Sequence, residues 1–186
     1  MTVNPTAKPS EKLVTQLFEL FRHKGYDGVS LGDIAAATGL GRSSLYHHFP
    51  GGKEQMADAV LAFARSAVEA HILSPLRGEG LPSERLVQMV EGTREVYQGE
   101  PCVLASLLSA PGQSSLPAET GRIITLWVDA ITHVLQEAGR DPKNAYALAS
   151  NAVALIQGGL IVARARGDRG PFDVALDEVQ DMLRRP

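Results

Sequence analysis

Cysteine is almost absent from this 186-residue chain, which carries Cys102 alone. One thiol excludes an internal disulfide framework. Aromatic side chains are also scarce, at 5% with a single tryptophan, although hydrophobic residues reach 44%. An apolar share carried by Ala and Leu rather than by rings favours helix, because such side chains lose little rotamer freedom there. Strand-like alternation and internal repeats are missing too, so the chain is expected to be all-α. The first ten residues lack the apolar run of a secretory signal; with the lone thiol, this implies a cytoplasmic location. Residues 145–163 are long enough to span a bilayer, but Ser150, Asn151, Gln157 and the Gly158-Gly159 pair make them a buried or interface helix. No membrane partner is expected.

Nucleophile elbows, paired metal motifs and Gly-rich phosphate loops are likewise missing, which points away from an enzyme and from any cofactor or metal. The charge of −3 hides an asymmetry. Residues 1–53 hold six Lys or Arg against four acids, whereas the remainder holds 12 against 17. Only the N-terminal part is suited to meet phosphates.

What is present is a succession of helical patterns. Residues 1–9, with Pro5 and Pro9, read as a disordered arm. Ser10 caps a first helix with apolar positions at Leu13, Val14, Leu17, Phe18, Leu20 and Phe21, ended by Gly25. Ser30 and Asp33 have capping-box spacing, with Val29 and Ile34 as a staple, so a short second helix starts at Leu31 and stops at Thr38-Gly39. A third, about 42–49, follows the Gly39–Gly41 turn and is stopped by Pro50. Two short helices around a Gly turn have the form of a helix-turn-helix. A fourth helix is expected from Lys53 to Leu73, ended by Pro75, then a linker over 74–82 and helices over 83–98, 103–109, 118–138, 142–166 and 172–183. The organisation is therefore an arm over 1–9, a three-helix DNA-binding domain over 10–52, and a larger helical domain over 53–186.

The run from Val29 to Phe49, VSLGDIAAATGLGRSSLYHHF, followed by Lys53-Glu54, strongly resembles the DNA-binding domain of the TetR family. The segment 48–54, the ending Gly158–Arg166 and Pro171-Phe172 resemble its LmrA/YxaF branch. If helices two and three pack across their turn, Ile34, Ala35, Leu40, Leu45 and Phe49 face inwards, leaving Arg42, Ser43, Ser44, His47 and His48 outwards or partly so. Arg42 is the expected base reader, since its fork can bond a guanine edge twice. The resemblance implies phosphate or base contacts for Tyr46 and His47, and groove contacts for Ser43 and Ser44. It also implies a backbone contact for Lys53, while Ser30 both caps helix two and touches a phosphate. Two departures stand out. Pro50-Gly51-Gly52 is one residue longer than the family's usual spacer, and Gly41 replaces a side-chain cap.

For a small apolar or aromatic effector the candidates are Met89, Tyr97, Cys102, Leu108, Trp127, Ile131 and Gln157, Trp127 first among them. For a homodimer they are Ala147, Asn151, Ala154, Gly158 and Ala165 on one helix and Phe172, Leu176, Val179 and Leu183 on the next. The function implied is a repressor on a pseudo-palindromic operator in double-stranded DNA, released by a small hydrophobic molecule and controlling a neighbouring efflux pump or oxidoreductase. The alternative is a DNA-binding dimer whose C-terminal half only dimerises or binds a protein.

Overall fold

The computed structural model describes residues 9–111 and 114–184, so the arm expected over 1–9 lies, except for Pro9, outside the described residues. Among these residues there are helices and no strands: α1 (Glu11–Gly28), α2 (Leu31–Thr38), α3 (Arg42–His48), α4 (Gly52–Val68), α5 (Ser74–Arg77), α6 (Pro82–Tyr97), α7 (Val103–Leu107), α8 (Leu116–Glu137), α9 (Pro142–Arg166) and α10 (Gly170–Arg184). They gather into two compact units. The first takes the chain up to Ala64 together with Val103–Thr120, and the second takes Arg65–Cys102 and Gly121 onwards.

In the first unit, the Ser10 hydroxyl accepts the Leu13 N–H to open α1, and Leu13, Leu17 and Phe21 form its buried edge. Gly25, at φ 71° and ψ 172°, breaks the regular helix where the sequence places its end. α2 opens on the expected capping box. Ser30 accepts the Asp33 N–H at 3.1 Å, and the Asp33 carboxylate accepts the Ser30 N–H at 2.9 Å. The staple residues Val29 and Ile34 are both buried. Gly39 caps α2 in the left-handed region. α7 packs on α1, where the Ser106 hydroxyl donates to the Arg22 carbonyl at 3.0 Å.

In the second unit the sequence expectation fails at Pro75. The helix does not stop there: a π-helical turn, Glu69–Leu73, leads directly into α5, and the linker shrinks to residues 78–81. In an α-helix the Pro75 ring would meet the His71 carbonyl, to which it also has no N–H to give; one widened turn removes that conflict. α6 lies against this turn. A Cβ on Gly92 would stand 1.8 Å from the His71 carbonyl oxygen, so only glycine fits. Arg85, 7% exposed, closes the carbonyl end of α5 by donating to Leu76 at 3.2 Å and Gly78 at 3.4 Å, and it pairs with Glu137.

α9 buries one face, formed by Ala145, Ala149, Ala152, Val153, Ile156, Gly159, Leu160 and Ala163. The small side chains let α10 approach closely: a Cβ on Gly159 would meet the Ala175 Cβ at 2.7 Å. α9 is therefore a core helix of its unit, with a second, exposed apolar face.

Two glycines on helices separate close packing from propensity. Gly92→Ala is expected to lower unfolding free energy by about 1–3 kcal/mol or more, since the collision with His71 outweighs the gain in helix propensity. Gly121→Ala meets nothing within 4 Å and is expected to raise it by about 0.5–1 kcal/mol. Urea unfolding followed by circular dichroism checks both, and equal effects would mean that the π turn tolerates displacement.

Candidate nucleic-acid interface and ligand cluster

α3 has seven residues and two anchors. Leu45 and Phe49 are 0% and 1% exposed and sit with Ile34 in the core of the first unit; Ala35 and Leu40 are only part-buried. With those anchors inside, Arg42, Ser43, Ser44 and His47 are exposed and Tyr46 is 45% exposed. His48 is half-buried beside His47, the rings edge-on at 5.7 Å, and its Nδ1 is buried with no hydrogen-bond partner. As expected from Gly41, no side chain caps α3.

The longer spacer has a clear role. Gly52 opens α4 beside the Tyr46 ring, 3.6 Å from where its Cβ would be. The Gly51 N–H is accepted by the Gln55 side-chain oxygen at 2.8 Å, which ties the spacer to the first turn of α4. Lys53 then lies with its ammonium 4.4 Å from the centre of the Tyr26 ring. Burial, then the negative charge of Glu54, Asp27 and Asp58, raises the Tyr26 pKa, so this ring stays neutral under the cation. Tyr26 and Gln55 were not singled out from the sequence, because each acts on a residue whose position only folding defines.

Ser30 is exposed, but its polar groups are committed. Its hydroxyl donates to Asp33 at 2.6 Å while accepting the Asp33 N–H. Hydrogen bonds from Lys24, then from Ser30, hold the Asp33 carboxyl well below the usual carboxylate range. The capping role of Ser30 is occupied, and a phosphate contact would have to compete with an ionised carboxylate.

The ligand candidates divide. Met89, Trp127 and Ile131 are 0% exposed, Tyr97 and Cys102 are 5%, and Gln157 is part-buried, all in the second unit. Leu108 departs from the expectation: it belongs to the first unit, just past α7, and is 46% exposed. Around Tyr97, the Trp127 ring is nearly parallel at 13° and 6.5 Å, and Phe172 stands edge-on at 6.5 Å. The Cys102 thiol donates to the Tyr97 hydroxyl at 3.6 Å. Burial, then Cys102, pushes the Tyr97 phenol well above its ordinary value. Gln157 lies near enough to that hydroxyl to favour its ionised form slightly, yet its Nε2 makes no hydrogen bond of normal length. Trp127 Nε1 is also buried with no partner.

The dimer candidates divide as well. Ala147, Asn151, Ala154 and Ala165 are exposed and Gly158 is part-exposed, whereas Phe172, Leu176, Val179 and Leu183 are buried, at 0–4% exposure. Those four residues are the inner stripe of α10, which packs on α9 and α6 of the same chain. A residue spent on its own core cannot also meet a partner. The large apolar residues left exposed on these two helices, among the described residues, are Tyr146, Leu155, Ile161 and Val162 on α9 and Val174 on α10. Among the described residues no three His, Cys, Asp or Glu gather to hold a metal.

The family model of bacterial regulatory proteins, tetR family, matches residues 13–60. That of the LmrA/YxaF-like transcriptional regulator C-terminal domain matches 82–178, just over half the chain. The HTH-type transcriptional regulator YxaF of Bacillus subtilis is 24% identical over 181 residues, 94% of this chain and 95% of YxaF. The HTH-type transcriptional repressor DhaR of a Mycobacterium species is 27% identical over 181 residues, 93% and 91% of the two chains. Among solved structures, a TetR transcriptional regulator from Legionella pneumophila aligns with a TM-score of 0.78 at 22% identity, over 97% of this chain and 98% of that one. A cysteine mutant of the TetR family regulator CifR, complexed with 26 bp double-strand operator DNA, aligns with a TM-score of 0.72 at 22% identity, over 98% of each chain. With its helix-turn-helix and its C-terminal helices both matched, the chain belongs to the TetR family, in the LmrA/YxaF-like branch, and is a DNA-binding transcriptional regulator.

Proposed function

We propose that this regulator is a repressor that binds a pseudo-palindromic operator as a homodimer and leaves it when a small, largely apolar molecule enters the Tyr97–Trp127 cluster. The observation that carries the reading is the outward face of α3, where Arg42, Ser43, Ser44, Tyr46 and His47 are all exposed over two buried anchors. Short side chains at positions 43 and 44 let the helix sit deep in a major groove, which leaves Arg42 to read a base edge and Tyr46 and His47 to reach base or phosphate. Lys53, steadied on Tyr26, contributes a backbone contact. DhaR, named a repressor, and CifR, solved on operator DNA, favour the same role here.

The dimer surface in this proposal is the stripe of α9 that its own chain leaves uncovered: Ala147, Asn151, Ala154, Gly158, Ile161 and Ala165, spaced three and four apart. The chain passes between the units within α4 and again within α8. A ligand in the second unit thereby acts on the first through continuous backbone, shifting a population rather than creating a new state.

Fluorescence anisotropy on DNA from upstream of the chain's own gene, at stated salt, tests the repressor reading. Arg42→Ala and Tyr46→Ala are each expected to weaken binding about tenfold or more. Lys53→Ala is expected to weaken it across sequences and to lower the salt slope by about 1. Unchanged binding by all three would remove α3 from the interface. In the same assay, a library of small apolar molecules is expected to contain one that releases the DNA; release by none would point to a C-terminal half that only dimerises or binds a protein.

Light scattering tests the dimer surface. Ile161→Glu is expected to give monomers that keep their helical content. Phe172→Ala is expected to cost about 3–5 kcal/mol of stability while leaving the folded protein dimeric. Dissociation by the second variant and not the first would restore α10 as the interface.

A further inference from the structure

The proposed sensing of a small molecule leaves its chemistry open, and the cluster around Tyr97 narrows it. Met89, Thr93 and Tyr97 lie on one face of α6 at four-residue spacing, and Trp127 and Ile131 do the same on α8. With Cys102, Gln157 and Phe172 they make a set of eight side chains, none of them Lys, Arg, Asp or Glu. A charged molecule brought among them would lose its hydration and gain no counter-ion from these side chains, which disfavours it. The polar groups inside are mostly accounted for. The Thr93 hydroxyl donates to the Met89 carbonyl at 2.8 Å, and the Cys102 thiol donates to Tyr97.

One nitrogen donor is not accounted for: Trp127 Nε1 is buried and has no acceptor, while the Gln157 amide, which makes no hydrogen bond of normal length, has the Tyr97 oxygen beside it. The indole is decisive, because its N–H can only donate and the whole side chain is 0% exposed. A buried donor without an acceptor is uncommon in a native interior, because it forfeits its bond to water and gains nothing in exchange. Both flank Tyr97: the indole ring runs parallel to the phenol ring, and the Gln157 amide lies by the phenol oxygen. The same place thus sets a buried indole N–H that lacks an acceptor among aromatic rings, with a second, weakly engaged amide N–H nearby.

We propose that the effector is an uncharged, largely apolar molecule whose oxygen acceptor, a ketone, ester or amide carbonyl, takes hydrogen bonds from Trp127 Nε1 and Gln157 Nε2. Hydrocarbons of the same shape leave the indole donor unpaired, and carboxylic acids arrive as anions that none of these eight side chains neutralises. This class rests on the sensor reading above and adds the two donors to it.

Trp127 is the chain's only tryptophan, so a 15N–1H spectrum of the full-length protein contains one indole N–H peak. Its titration with 2-acetylnaphthalene, 2-ethylnaphthalene and 2-naphthoate compares a neutral acceptor with an isosteric hydrocarbon and an anion. The ketone is expected to move the peak saturably and to bind about tenfold tighter than either of the others, as for a site whose buried donor is otherwise left unpaired. Gln157→Leu is expected to cut the ketone's advantage over the hydrocarbon severalfold. The three-probe comparison on the unaltered protein stands whether or not that variant folds. Equal binding of ketone and hydrocarbon overturns the inference and leaves the sensor reading intact. Tightest binding of the naphthoate overturns it by revealing a cation at the site. No peak movement with any probe also overturns it, and the operator-release screen then decides separately whether the protein senses a small molecule at all.

Discussion

The outward face of α3 depends on the burial of two side chains on a helix too short to form alone. Seven residues make fewer than two turns, and an isolated helix of that length is not stable in water. Leu45 and Phe49, four residues apart and nearly inaccessible, fix both the existence of α3 and its rotation about its own axis. Once they are inside, geometry leaves Arg42, Ser43, Ser44, Tyr46 and His47 no direction but outward. Gly41 adds no cap, so α3 draws its stability from these anchors rather than from its ends. The spacer that follows serves the same end, with Gly52 against the Tyr46 ring and Gln55 bound to Gly51.

The second unit uses a different constraint, closeness of backbone. Gly92 against the His71 carbonyl and Gly159 against Ala175 are contacts that a single methyl group would push apart. The first accommodates a π turn, and that turn carries the chain through Pro75 without an end to the helix. The second lets α10 settle so deeply on α9 that Phe172, Leu176, Val179 and Leu183 are consumed within the chain, which leaves the opposite face of α9 uncovered.

Much of this was legible in the sequence. The capping box, glycine stops and apolar periodicity are local signals, and α2, α3 and α9 begin where the sequence places them. The outward set on α3 followed from the same periodicity. What failed was what depends on a neighbour. Pro75 stops an α-helix by a local rule, but a π turn beside Gly92 changes the premise. Phe172, Leu176, Val179 and Leu183 form a regular apolar stripe, and a stripe says only that it is buried, not against which chain. Leu108 was grouped with Trp127 by residue type, while the fold assigns it to the other unit. Tyr26 under Lys53 joins positions 27 residues apart that no spacing rule connects.

The separation of anchors from outward residues on α3 also bears on how such a regulator diverges. Exposed positions away from caps and cores usually change stability by less than about 0.5 kcal/mol. Arg42, Ser43, Ser44 and His47 are such positions. In the proposed reading of DNA by this face, a duplicated copy can therefore drift to a new site through substitutions that cost the fold almost nothing, while Leu45 and Phe49 are held by the core. Two residues keep the helix in place, and the others are free to change.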